Sequence, residues 1–175
     1  MNLVQALHLI RTIPDYPKSG IVFKDVTPML ANGQAFTVVT QELSKFAQSG
    51  DLIAGIEARG FIFAAAIAAD LGEGFIPIRK SGKLPFQTHA KNYALEYGEA
   101  TIEIHTDAIA QGQRVLLIDD VLATGGTMCA AIELVAACGG VVSAIATVLE
   151  ITSLGGRDKI LSQFPDISIH ALMSI

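Results

Sequence analysis

The sequence predicts an α/β fold with a mostly parallel central sheet flanked by helices. Short apolar runs alternate with helical patterns from residue 52 onward, and one of those runs enters a Gly-rich turn that opens a helix. The chain of 175 residues is 51% hydrophobic and only 17% charged, which supplies apolar surface for one substantial core. A domain of this length buries roughly 70% of the surface its unfolded chain exposes, so it needs no disulfide or metal staple.

The elements follow in order. Leu3, Leu7 and Ile10 have helical spacing and the pattern stops before Pro14, predicting a first helix over residues 2 to 12. Pro14, Pro17, Gly20 and Pro28 then punctuate an ordered irregular loop holding the extended piece Ile21, Val22, Phe23. After the Asn32-Gly33 turn, Phe36, Val39, Leu43 and Phe46 define a second helix ending at Gly50. Residues 52 to 56 read as a strand, 61 to 71 as a helix and 75 to 78 as a strand. Residues 93 to 97 and 101 to 105 alternate around Gly98-Glu99 as a hairpin. Residues 115 to 118 form a strand, 127 to 138 a helix stopped by Gly139-Gly140, 141 to 151 a strand and 168 to 174 the last strand. The polar stretch 80 to 92 joins strand to hairpin, and a loop of that length in a compact domain is often functional.

Composition excludes several functions. A formal charge of −5, with no basic run longer than Arg79-Lys80, argues against nucleic acid or an anionic membrane as the main partner. The N-terminus lacks the pattern of a signal peptide, and the longest apolar run, residues 61 to 69, is about half a membrane span. Cys129 and Cys138 fall on opposite faces of one helix, about 13 Å apart along its axis, so they neither pair nor share a metal. Two reduced thiols point to the cytoplasm.

The chemistry concentrates in residues 114 to 127, RVLLIDDVLATGGT. An apolar strand delivers Asp119 and Asp120 to its carboxyl end, where open parallel sheets bind ligands. The turn that follows opens a helix whose unpaired N–H groups face an anion. Gly125 and Gly126 allow close approach, while Ala123, Thr124 and Thr127 complete the cradle with two hydroxyl donors. A charge-assisted hydrogen bond contributes about 1.5 to 3 kcal/mol, so four or five donors hold a phosphate without a lysine. Neither GxxxxGK[ST] nor GxGxxG is present, and two carboxylates beyond a phosphate cradle suit the vicinal hydroxyls of a ribose 5-phosphate.

Residues 115 to 127 resemble the phosphoribosyl-pyrophosphate signature of the type I phosphoribosyltransferases, and within that family the match is close to the adenine-specific branch. The resemblance extends to PDYPKSGIVFKDVTP (14 to 28), GIEARGFIF (55 to 63), RKSGKLP (79 to 85), LEYG (95 to 98) and EITSL (150 to 154). It implies the type I fold, a single domain over 1 to 175 with a small N-terminal hood at 1 to 33 and a flexible catalytic loop and hairpin at 80 to 105. It implies joining of adenine to 5-phosphoribosyl 1-pyrophosphate, giving AMP and pyrophosphate, by a cytoplasmic homodimer, with Mg²⁺ carried by the substrate's pyrophosphate and no metal held directly by the chain.

By the same resemblance, Asp119 and Asp120 hold the ribose hydroxyls, Ala123, Thr124, Gly125, Gly126 and Thr127 the 5-phosphate, and Arg59 lies near base and pyrophosphate. Arg79, Lys80 and Lys83 clamp the pyrophosphate, Phe23 and Ile151 cover the two faces of adenine, and Glu96 handles the proton. From the residues alone, Phe23 reads equally as a core side chain and Glu96 as an exposed strand glutamate. Ser19 and Ser81 replace prolines usual in the family, so both loops lack a φ-fixing ring. The alternatives are a xanthine or other 6-oxopurine enzyme and a non-catalytic nucleotide-sensing regulator. Many 6-oxopurine enzymes carry Asp at the position of Ala123, which favours adenine, although xanthine enzymes can also carry Ala there, and no residues remain for a DNA-binding module.

Overall fold

A computed structural model describes residues 1–94 and 99–175, the side chain of Ala94 apart. The chain forms two compact units, Met1–Glu42 and Leu43–Ile175.

The first unit opens with α1 (Leu3–Leu7), started by a reciprocal capping box between Asn2 and Gln5. The helix expected over 2 to 12 stops at Leu7, because the β-branched pair Thr12 and Ile13 enters β1 (Arg11–Ile13) instead. β1 pairs antiparallel with β2 (Phe23–Asp25), in register Arg11 with Asp25 and Ile13 with Phe23, and Arg11 Nε lies 3.4 Å from Asp25. The extended piece thus lies two residues later than its apolar side chains indicated. A short helix that the sequence reading lacks, α2 (Thr27–Leu30), follows. Asp25 accepts from the N–H and the hydroxyl of Thr27, and Pro28 occupies the first turn, where no N–H partner is needed. α3 (Gly33–Ser44) starts where Asn32 accepts from the Ala35 N–H at 3.1 Å, and it ends six residues before Gly50.

The second unit holds β3 (Leu52–Ile56), α4 (Gly60–Leu71), β4 (Phe75–Lys80), β5 (Thr88–Ala94), β6 (Glu99–His105) and β7 (Arg114–Leu122). Then come α5 (Gly126–Ala137), β8 (Val141–Glu150), a single 3-10 turn (Thr152–Leu154), α6 (Gly156–Gln163) and β9 (Ser168–Ser174). The sheet has seven strands in the order β5-β6-β4-β3-β7-β8-β9. Strands β4, β3, β7, β8 and β9 run parallel, and the β5-β6 hairpin adds antiparallel at one edge. Its apolar centre includes Ile56, Ile78, Ile102, Ile104, Leu117, Val135 and Ile145.

Three expectations change here. β5 begins at Thr88 and pairs residue for residue with β6, so the loop expected at 80 to 92 contracts to the segment between Lys80 and Thr88. β7 continues through Asp119 and Asp120 to Leu122, which pairs with Glu150; the two acids lie within the strand, not beyond it. α6 lies in a stretch left unassigned, since GRDKILSQ has little apolar periodicity. Cys129 and Cys138 are both free, as their spacing indicated.

Two features fix the frame. Asp51, fully buried, accepts from Arg114 Nε at 2.8 Å, the Ser143 hydroxyl at 2.7 Å and the Gln48 N–H at 3.0 Å. These bonds tie together the starts of β3, β7 and β8 and offset its burial, leaving the carboxyl below its ordinary range. At the other end of the sheet, β3 leads outward through β4 and β7 through β8 and β9, so β3 and β7 bound the point where strand order reverses. Ligands of open α/β sheets bind outside the carboxyl ends of strands at such a point.

Candidate active site

The parallel register of β3 and β7 sets Gly55 beside Ile118, so both strands leave the core at one level. Glu57 and Arg59 follow β3 at the level where Asp119 and Asp120 lie within β7, and Arg59 Nε lies 2.9 Å from Asp120 Oδ2. Asp120 is 3% exposed, and its Oδ2 has the charge of Arg59 in front of it but no hydrogen bond of good geometry. Burial pushes the Asp120 carboxyl up, against the pull of Arg59. Burial and the neighbouring charge of Asp120 push Asp119 up further. Asp119 Oδ1 accepts from the Asp120 N–H at 2.8 Å. The free site therefore holds two poorly solvated carboxyls that gain from any hydroxyl donated to them.

Gly60, the first residue of α4, admits this arrangement. A Cβ there would meet Ile118 O at 2.7 Å and Asp119 Oδ1 at 3.1 Å, so only glycine lets the helix start so close to the strand.

Beside Asp119 lies a cleft lined by Val121, Leu122, Ala123, Thr124, Gly125, Thr127 and Met128. Gly125 takes a left-handed φ of 78° and precedes the first turn of α5, whose N–H groups have no partner within the helix. Their dipoles, with the hydroxyls of Thr124 and Thr127, make the cleft an anion cradle.

The back of this loop rests on the start of α6. A Cβ on Gly156 would stand 2.1 Å from Ala123 O and 2.9 Å from Gly125 N, and Ile151 donates its N–H to Leu122 O at 2.9 Å. The segment after β8 therefore supports the cradle from behind. Gly156→Ala is expected to weaken binding of inorganic phosphate or a sugar phosphate about tenfold while the fold persists. Titration calorimetry beside a thermal melt checks this, and an unchanged affinity would mean the loop does not depend on that support.

Of the cations expected in a cluster, Arg79 is held in place. Its guanidinium meets Glu57 at 3.2 Å, donates to Lys83 O at 3.0 Å and lies 6.0 Å from the Phe61 ring centroid. Lys80 and Lys83 expose their side chains at the entry to the loop. Phe23 belongs to the first unit, half-buried on β2 with its ring edge-on to Tyr16 at 5.2 Å. Ile151 belongs to the second, half-buried at the exit of β8. Glu96 falls in residues 95–98, outside the described residues. Glu57 and Gly156 went unnoticed in the sequence because one acts through a side chain 22 residues away and the other through its lack of a side chain.

Comparisons with known proteins converge. Residues 29–169 match the model of the phosphoribosyl transferase domain family. An adenine phosphoribosyltransferase of Thermobifida fusca is 49% identical over 168 residues, covering 95% of this chain and 93% of that protein. The crystal structure of adenine phosphoribosyltransferase from Thermoanaerobacter pseudethanolicus superposes with a TM-score of 0.93 at 46% identity, covering 99% of this chain and 100% of the other. The APRTase of Giardia lamblia in complex with 9-deazaadenine gives a TM-score of 0.92 at 37% identity, covering 100% and 98%.

Proposed function

The chain belongs to the phosphoribosyl transferase family and joins adenine to 5-phosphoribosyl 1-pyrophosphate to give AMP and pyrophosphate, and from that premise we propose what each part of its site does. The relatives' names favour adenine over a 6-oxopurine, in keeping with Ala123 at the first position of the cradle loop.

The observation that carries the assignment of roles is the pair of half-buried Asp119 and buried Asp120 just ahead of the cradle, with Asp119 lining the same cleft. Ala123, Thr124, Gly125, Gly126 and Thr127 hold the 5-phosphate, and Asp119 and Asp120 accept the 2- and 3-hydroxyls of the ribose. Arg59, kept beside Asp120, reaches toward the pyrophosphate, as do Arg79, Lys80 and Lys83. Magnesium carried by the substrate's pyrophosphate would offset part of the leaving group's charge. Phe23 and Ile151 sandwich adenine.

In the reaction the bond from the anomeric carbon to the pyrophosphate oxygen breaks, the bond to N9 of adenine forms and the N9 proton departs. Positive charge builds on the sugar, so the chain contributes chiefly by holding the two reactants in line and by excluding water. Glu96 receives the proton. The single-domain organisation, with residues 1 to 33 as a hood and 80 to 105 as loop and hairpin, belongs to the same reading. Exposed Ile62, Leu71 and Phe75 support assembly as a homodimer. The free thiols Cys129 and Cys138 support a cytoplasmic location.

Equilibrium binding of ribose 5-phosphate tests the assignment. It should saturate the wild-type site and be displaced by AMP. Failure of AMP to compete would place the sugar phosphate elsewhere.

A further inference from the structure

Glu103 is one of the few buried charged residues of the sheet, at 5% exposure, and it sits on β6 in register with Arg79 on β4. Among the described residues its side-chain hydrogen bonds go to the loop between β4 and β5 or to its far end. Oε1 accepts from the N–H of Lys83 at 3.1 Å and of Leu84 at 3.2 Å, and Oε2 faces the hydroxyl of Thr88 at 3.5 Å. Arg79 Nη1 donates to Lys83 O at 3.0 Å and is itself held by Glu57. The peptide groups on both sides of Lys83 are thus gripped by one cross-strand pair, Glu103 on the N–H and Arg79 on the carbonyl, while the Lys83 side chain stays exposed.

A buried carboxylate next to a site for a polyanion works against anion binding unless it has another task. Neither the ladder between β4 and β6 nor that between β5 and β6 uses this side chain, because those strands pair through their backbones. We propose that Glu103 is a positioning residue that staples the middle of the loop and its far end and so fixes the Lys83 ammonium where the pyrophosphate is bound. The inference rests on the reading of Lys83 as a pyrophosphate ligand.

The test compares steady-state kinetics of Glu103→Ala, Lys83→Ala and the double variant. Glu103→Ala is expected to raise KM for 5-phosphoribosyl 1-pyrophosphate about tenfold, with KM for adenine changed less than twofold. In the Lys83→Ala background the same substitution should add nothing, because the group being positioned is gone. Additive effects, or an unchanged KM, would overturn the proposal. Glu103→Gln keeps an oxygen for both amides and should restore the wild-type KM. Glu103→Asp, one methylene short, should not; equal KM values for these two would also overturn it, even if the alanine variant does not fold. Trypsin cleavage after Lys83 separates this inference from the reading beneath it. Faster cleavage in Glu103→Asp together with an unaffected KM in Lys83→Ala would keep Glu103 as the staple but remove Lys83 from the pyrophosphate site. Unchanged cleavage would remove the staple.

Discussion

Asp120→Asn is expected to raise the dissociation constant of 5-phosphoribosyl 1-pyrophosphate about 100-fold, because a hydrogen bond to a charged acceptor contributes about 1.5 to 3 kcal/mol and Asp120 is buried where water cannot replace it. The substitution also turns an amide toward Arg59 Nε in place of the carboxylate oxygen now 2.9 Å away. The free protein should lose no stability. Burial holds the Asp120 carboxyl above its ordinary value of 3.8, so its ionised form costs folding free energy as pH rises above that value and through the raised one, and a neutral amide relieves that cost. Loss of affinity without loss of melting temperature would identify a site residue that works against the fold, and titration calorimetry with a thermal melt reads both. An unchanged dissociation constant would remove Asp120 from the ribose site.

Arg157→Ala should have the largest effect on stability. Glu150, 5% exposed at the end of β8, receives Arg157 Nε at 2.8 Å and Nη2 at 2.5 Å, and Arg157 Nη1 reaches Ile169 O on β9 at 2.9 Å. Removing the arginine leaves a buried carboxylate without its cation. Breaking such a pair costs about 3 to 5 kcal/mol, and the lower end applies because the Arg157 side chain is 35% exposed. The melting temperature should drop by on the order of 10 °C. Arg157 holds the Glu150 carboxyl below its ordinary value of 4.5. A group depressed in the folded state contributes stability above its unfolded pKa and loses it as pH falls through the folded one. The gap between wild type and variant should therefore be full near pH 7 and close in acid below about pH 4.5. A gap independent of pH would mean the loss comes from packing.

The central strand β3 and the edge strand β9 were legible to the residue, because each is a mostly apolar run that follows turn residues, Gly50-Asp51 and Pro165-Asp166. The end of β7 was not. Two aspartates look like the edge of a strand, yet here they continue it, since parallel pairing to β8 runs on to Leu122 and supplies backbone bonds without regard to side-chain charge. α1 was read too long because three apolar residues at helical spacing do not reveal that Ile13 has a partner in Phe23. The Gly-rich turn that opens α5 was legible because its parts lie within five consecutive residues, 123 to 127. The residues that hold it and its neighbours in place were not. Glu57, Glu103 and Gly156 act on groups distant in sequence, through backbone N–H donors or a missing Cβ, and leave no local pattern.

The central claim is that this site joins adenine to a phosphoribosyl group. A coupled assay with 5-phosphoribosyl 1-pyrophosphate, magnesium and either adenine, hypoxanthine, guanine or xanthine tests it most directly. Adenine should be turned over with a kcat/KM at least about 100-fold above the three 6-oxopurines, the discrimination expected when a base site leaves the wrong donor or acceptor unpaired. Equal or better turnover of any 6-oxopurine would contradict it.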